Sequence, residues 1–272
     1  MDASRLSLCV SLLAGDDPVH DRVAAAAARG YRVLESWWPW PGGTPSPQDI
    51  AALAASLAEH EATLHLMNLS EGGPPWGGRG MAGIPAAEEE FWANARTALD
   101  LTSQLGIRQL HALAGNVTLE GPEECMDHLE RTLAELAALA APLGAEVVVE
   151  HLNRDDHPDY LLADPLVAVD IVRRANARSS GNVGLLADVY HLARTGLDVA
   201  EFIGENAELI RHVQLADFPG RGRPGTGDIP IKGVLRALDA SGYKGFIGLE
   251  FLPDGEPGSL PSPEAFWRIL TS

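Results

Sequence analysis

The chain has 272 residues, of which 46% are apolar and 21% charged, enough for a sizeable core and ordinary for a globular α/β protein. Acidic residues outnumber basic ones, 38 to 20, for a net charge of −18. That field repels phosphate backbones and argues against nucleic acid as a partner, although a metal or arginine can reverse the sign inside a pocket for a small anion. Cys9 and Cys125 are the only cysteines and form no CxxC pair, so a disulfide framework is not expected and a reducing cytoplasm fits.

In chain order, Leu6–Leu12 is the first strand candidate. The apolar run Leu6–Ala14 follows only Arg5 and carries Asp2 in its flank, too weakly basic for a secretory signal. A helix is expected at 19–29, then a strand at Arg32–Ser36. The next helix, Pro47–Glu61, opens with Ser46 as N-cap and Pro47 at its first position. A strand at Thr63–Asn68 is followed by a helix at Glu88–Leu105, which stops at Gly106. Strand Gln109–Leu113 leads to an Ala/Leu/Glu-rich helix, Pro122–Leu143, ending at Gly144. The later strands are Glu146–His151, Val183–Asp188, His212–Ala216 and Gly245–Phe251, with helices at 165–177, 198–209, 231–241 and 263–270.

Runs such as Val147-Val148-Val149 are apolar on both faces, as parallel strands buried on two sides must be. Eight strands, each followed by a helix, predict a single-domain (β/α)8 TIM barrel spanning 1–272. A doubly wound open sheet is the alternative, but no GxGxxG follows the first strand. No run of 18 apolar residues exists, so no membrane span is expected. Two long Gly/Pro-rich loops, Trp37–Pro47 and Ser70–Pro85, follow strand ends, where a barrel keeps its active site.

The chemistry concentrates at the ends of the last four strands. Glu150 ends Glu146-Val-Val-Val-Glu150, Asp188 ends Val183-Gly-Leu-Leu-Ala-Asp188, Gln214 sits in His212-Val-Gln-Leu-Ala, and Glu250 ends Phe246-Ile-Gly-Leu-Glu250. A carboxylate at the end of an apolar strand is costly to bury unpaired. Three carboxylates and an amide meeting at one barrel mouth call for a divalent cation, and four oxygen donors suit Mg2+ or Mn2+. The bland reading gives each residue its own arginine or backbone partner. With a cation between them, Glu150 and Glu250 suit a two-base proton transfer beside a carbonyl, through an enediolate.

Other pocket candidates follow. His191, in Asp188-Val-Tyr-His191, is expected on the loop above strand six, within reach of substrate. His65, His111 and Asn68 lie in strands three and four and either line the pocket or are satisfied core residues. Arg221, in the Gly-rich loop Pro219–Gly227, can fork onto a substrate carboxylate, or be a solvated loop charge. Trp37, Trp38, Trp40 and Trp76, on the two long loops, wall the pocket or seal the subunit interface of a homo-oligomer.

These residues carry a resemblance. Leu110-His-Ala-Leu-Ala-Gly115, Val149-Glu150-His-Leu, Asp188-Val-Tyr-His191, His212-Val-Gln-Leu-Ala-Asp217, Pro219-Gly-Arg221, Pro224-Gly-Thr-Gly227 and Leu238-Asp-Ala-Ser-Gly-Tyr243 leading to Gly248-Leu-Glu250 resemble the hydroxypyruvate isomerase family of xylose-isomerase-like barrels. The resemblance spans the first strand to Leu252. It implies conversion of hydroxypyruvate to tartronate semialdehyde (2-hydroxy-3-oxopropanoate). The positions matching Glu150 and Glu250 would give and take the proton, and those matching Glu150, Asp188, Gln214 and Glu250 would hold Mg2+. One departure stands out: family members commonly carry an Arg after a Pro-Gly pair following strand three, where this chain reads Ile84-Pro-Ala-Ala87-Glu88. Asp228 also stands where Glu is usual, and Arg223 where an acidic residue is common. Arg79 or Arg221 would have to compensate for Ala87.

Four rivals share the fold. A ketose 3-epimerase usually places His at the strand-seven metal position, which here is Gln214. An isomerase of a four-carbon 2-oxo sugar acid shares the chemistry. An endonuclease-IV-like repair enzyme needs a multi-zinc His cluster with an Asp-x-His pair after strand seven, which Asp228-Ile-Pro lacks. A non-catalytic sugar-binding barrel needs no flanking carboxylate pair.

Overall fold

The computed structural model describes residues 1–13, 17–40, 44–117, 120–252 and 260–272. Eight strands, β1 (Leu6–Cys9), β2 (Val33–Ser36), β3 (Thr63–Asn68), β4 (Gln109–His111), β5 (Glu146–Glu150), β6 (Val183–Asp188), β7 (Ile210–Leu215) and β8 (Ile247–Leu249), follow chain order in a closed barrel. Nine helices are described between and after them: α1 (Val19–Ala27), α2 (Pro47–Glu59), α3 (Glu88–Leu105), α4 (Pro122–Ala140), α5 (Pro165–Arg178), α6 (Val189–Ala193), α7 (Val199–Asn206), α8 (Ile231–Ala240) and α9 (Pro263–Thr271). This is the (β/α)8 fold that the alternation of elements predicts.

The chain divides into two compact units. The first comprises Met1–Pro39, Pro45–His65 and Ala187–Ser272. Within it β7, β8, β1 and β2 pair in parallel in that order: Gln214 is opposite Gly248, Leu8 opposite Leu249, and Cys9 opposite Glu35. Leu8, Leu34, Val213, Ile247 and Leu249 are all buried, as strands covered on both faces require. Helix α1 packs on α2, and α7 on α8.

The second unit comprises Trp40–Thr44 and Leu66–Leu186. Here β3, β4, β5 and β6 pair in parallel, with Asn68 opposite His111 and Glu150 opposite Leu186. Leu66, Val148 and Leu186 form a fully buried cluster, and α4 packs on α5.

Local chemistry sets the helix ends. Ser46 Oγ accepts from the Asp49 amide while the Asp49 carboxylate accepts from the Ser46 amide, a capping box with Pro47 at the first helical position. Gly106 closes α3 at φ 71°, a left-handed conformation that costs glycine little.

Several elements are shorter than the sequence suggests. β1 ends at Cys9 and passes into a 3-10 turn, Val10–Leu12. β8 starts at Ile247, because Gly245 and Phe246 give their carbonyls to the Arg5 and Tyr243 side chains instead of to a neighbouring strand. The predicted Pro122–Leu143 helix becomes α4 plus a 3-10 turn at Ala141–Leu143, where Pro142 cannot continue an α-helical ladder. Residues 41–43 of the predicted Trp37–Pro47 loop, and Ala14 of the apolar run Leu6–Ala14, lie outside the described residues. Among the described residues no helix is long and apolar enough to cross a membrane, and neither of the two buried cysteines forms a disulfide.

Candidate active site

In the first unit the site grows from the ends of β6, β7 and β8. Asp188 is both the last residue of β6 and the N-cap of α6. Its Oδ1 accepts from the Tyr190 amide at 2.8 Å, which leaves Oδ2 for the site. Because α6 starts at once, His191 sits on a helix rather than on the expected loop, and its side chain is buried. Asp188 and His191 each offer a ligand atom, and these lie within 4.8 Å of one another.

Glu250 follows one residue after β8 and is buried. Trp37 Nε1 donates to its Oε1 at 2.6 Å, and the Cys9 thiol approaches the same oxygen at 3.5 Å. Arg221 Nη2 donates to Glu250 Oε2 at 2.6 Å and to Asp188 Oδ2 at 2.7 Å. Its Nη1 donates to His191 Nε2 at 2.7 Å, and its guanidinium lies 5.4 Å from the Tyr190 ring centroid. One cationic nitrogen thus holds two buried carboxylates. Arg221 is not a solvated loop charge; it forks onto the protein's own carboxylates.

Burial pushes both carboxyls above the ordinary carboxylate range, and Arg221 only partly offsets it. The nearby Glu35 pushes both in the same direction as burial, and Asp188 does so for Glu250. Burial likewise drives the Cys9 thiol well up, so Cys9 stays a neutral neighbour of Glu250.

Asp217 builds the loop that presents Arg221. Its Oδ1 accepts from the amides of Phe218 and Ile229, and its Oδ2 from those of Gly225 and Gly227, at 2.8–3.0 Å. A backbone pair between Asp217 and Gly222 closes the turn, with Arg221 held at φ 55°, a conformation non-glycine residues rarely adopt. Gly227 passes so close to Phe218 O and Asp217 that a Cβ there would overlap both.

Gln214, on β7, donates from Nε2 to Glu35 Oε2 at 2.8 Å. Its Oε1 is buried and has no hydrogen-bond partner among the described residues. Glu35, on β2, is also held by Ser7 Oγ and by His212 Nε2, which lies 3.0 and 3.1 Å from its two oxygens. Burial alone would raise the Glu35 carboxyl, but His212, Ser7 and Gln214 together hold it below the ordinary range. Sequence reading missed Glu35; its one signal is a carboxylate inside the short strand Val33-Leu-Glu-Ser36.

His65 packs edge-on to Phe246 with ring centroids 4.6 Å apart. Phe246 comes one residue before β8 starts, whereas Glu250 comes one residue after it ends, so His65 flanks the opposite end of that strand.

The second unit brings together Asn68, His111 and Glu150. His111 Nδ1 is 3.1 Å from Asn68 Oδ1, and its Nε2 is 3.6 Å from Glu150 Oε2, all three side chains being buried. Tyr160, another residue that sequence reading missed, donates from its hydroxyl to the Glu150 carbonyl at 3.3 Å and accepts from the Ala114 amide at 2.9 Å. The loop after β3 returns along the exit of β4 through backbone bonds from Ala82 to Leu113 and from Gly83 to Ala114. Gly80 there lies so close to Leu113 O that only glycine fits. On this loop Arg79 pairs with Glu71 at 3.3 Å and with His157 at 3.0 Å. Trp76 bonds Glu90, and Trp40 is buried. Ala87, at the family's arginine position, is buried at the foot of α3.

The donor set fits a hard divalent cation. Asp188 and Glu250 already converge on one positive nitrogen, and Gln214 holds a buried, unpartnered amide oxygen.

A Streptomyces coelicolor protein with the provisional name hydroxypyruvate isomerase is 39% identical over 267 residues, 96% of this chain and 94% of that protein. A 2-oxo-tetronate isomerase of Cupriavidus necator is 29% identical over 250 residues, 92% and 93% of the two chains. A crystal structure from Brucella melitensis, described as an AP endonuclease of family 2, superposes with a TM-score of 0.84 at 30% identity, covering 94% of this chain and 95% of that one. The family model described as xylose isomerase-like TIM barrel matches residues 23–267. The chain belongs to the xylose isomerase-like TIM barrel family.

Proposed function

We propose that the protein is a divalent-metal-dependent isomerase of a small hydroxy-oxo acid, interconverting hydroxypyruvate and tartronate semialdehyde. The observation that carries the reading is the convergence of Asp188 and Glu250, two buried carboxylates, on a single cationic atom. Relatives named for isomerisation of small hydroxy acids give the substrate class.

Glu150, Asp188, Gln214 and Glu250 would hold Mg2+ or Mn2+, each coming from the end of a barrel strand. Closed parallel barrels keep their active sites on that face. When bound, the cation would supply positive charge where negative charge develops on the substrate oxygens. One of the two glutamates removes a proton from C3 of hydroxypyruvate, giving the enediolate. The other returns a proton to C2, and the O3 hydroxyl proton passes to O2, so the aldehyde forms with no net change in atoms or electrons.

A cation on Asp188 and Glu250 would leave the Arg221 fork able to hold the substrate carboxylate, in place of the family arginine that is Ala87 here. His191, His111 and Asn68 complete the polar lining. Gln214, where ketose 3-epimerases carry His, favours the hydroxy-acid reading over epimerisation. A cytoplasmic setting fits two cysteines that form no disulfide, and the net charge of −18 disfavours nucleic acid as a partner.

Proton NMR in D2O tests the proposal, with hydroxypyruvate, a four-carbon 2-oxo acid and a free ketose offered in parallel. Deuterium should enter hydroxypyruvate and its aldehyde product only when Mg2+ or Mn2+ is present, and should vanish in Glu150→Gln and Glu250→Gln. Exchange in metal-free protein refutes the mechanism. Faster turnover of the four-carbon acid moves the substrate to that of the Cupriavidus relative.

A further inference from the structure

Resting on the metal-site reading above, we infer that Glu35 is a positioning residue: it locks the Gln214 amide so that its oxygen, not its nitrogen, faces the cation. A primary amide has one end that binds metals and one that repels them, and the two have nearly the same shape. Something must therefore decide which way Gln214 turns.

Glu35 is the group that decides. It is buried, and its ordering of hydrogen bonds leaves no ambiguity. Ser7 Oγ donates to its Oε1, His212 Nε2 lies 3.0 and 3.1 Å from its two oxygens, and Gln214 Nε2 donates to its Oε2 at 2.8 Å. A carboxylate only accepts, so it can take Gln214 only by the NH2 end. Gln214 Oε1 is then left pointing elsewhere, buried and without a hydrogen-bond partner among the described residues. An acceptor with no donor costs stability unless a cation uses it. Gly248 of β8, opposite Gln214, makes room for this arrangement: a Cβ there would overlap Glu35 Oε1. Partners that orient metal ligands in this way commonly govern affinity by 10–100-fold.

The test exchanges the two side chains. In Glu35→Gln, the new amide accepts from His212 with its oxygen and turns its NH2 toward Gln214, so two NH2 groups face each other. Gln214 then flips and shows its nitrogen to the ion. Mn2+ affinity, read by calorimetry and by the free-Mn2+ EPR signal, should fall about 10–100-fold. Adding Gln214→Glu removes the amide that can flip; the new carboxylate accepts from Gln at position 35 and offers oxygen either way. The double variant should bind Mn2+ within a few-fold of wild type. Ser7→Ala, which takes a different bond from Glu35, should keep wild-type affinity. Thermal unfolding is followed for each variant, because a merely structural role would lower Tm in both the single and the double variant without restoring the ion. The inference is overturned if Glu35→Gln binds Mn2+ as wild type does, or if the double variant binds no better than the single one. If Glu35→Gln does not fold, the double variant decides alone, weak binding by a folded double variant overturning the idea. Wild type that binds no Mn2+ sinks the metal reading itself, and this inference with it.

Discussion

Replacing Asp217 by Asn changes one atom and removes half of what holds the Arg221 loop. The carboxylate accepts four backbone amides, two on each oxygen, at 2.8–3.0 Å. Asparagine keeps one oxygen and turns an NH2 toward the other two donors, so two hydrogen bonds to a buried charge are lost and donor faces donor. Bonds to charged groups contribute about 1.5–3 kcal/mol each, which puts the loss near 3–6 kcal/mol. Against a total stability of roughly 5–15 kcal/mol, that is a large fraction. Urea unfolding measures it directly, as a lower midpoint with an unchanged slope. The same variant should lose most turnover, because Arg221 at φ 55° depends on the turn that Asp217 closes. A loss under about 1 kcal/mol would mean that the four amides find other partners and that Asp217 does not organise the loop.

Two other outcomes follow from the same geometry. Gly248→Ala drives a methyl group into Glu35, so stability and Mn2+ affinity should fall together, and unchanged calorimetric binding would show that Glu35 has space to move. The second concerns pH. Burial raises the folded-state pKa of Glu250 above its ordinary 4.5, so its share of stability is present below that value and fades as pH rises through the folded pKa. In chelator, wild-type stability minus that of Glu250→Gln should therefore fall as pH increases from 5 upward, by at most about 1.4 kcal/mol per pH unit. A difference that grows with pH would contradict the raised pKa.

The strands were legible in the sequence because a parallel barrel buries both faces of each one, and Val147-Val148-Val149 or Val183–Ala187 admits no other easy home. A polar residue ending such a run stands out for the same reason, and this is how Glu150, Asp188 and Gln214 are found without coordinates. The rest depends on contacts that spacing does not encode. Glu35 and His212 meet across 177 positions, and nothing near Glu35 announces its partners. Arg221 stood out in the sequence as a candidate for a substrate carboxylate but not as the counter-ion of Asp188 and Glu250, 33 and 29 residues away. His191 looked like a loop residue because the double role of Asp188, strand end and helix cap at once, is a matter of side-chain geometry. His65 had the composition of a pocket residue, yet its ring lies by Phe246, at the entry to β8.

Glu150, Asp188, Gln214 and Glu250 are proposed to share one cation. Anomalous diffraction from a Mn2+-soaked crystal tests it most directly. A shared cation gives a single strong peak bonded to oxygen atoms of all four side chains, with the Arg221 guanidinium no longer on Asp188 and Glu250. A peak elsewhere, or no peak while Arg221 still bridges the two carboxylates, would contradict it.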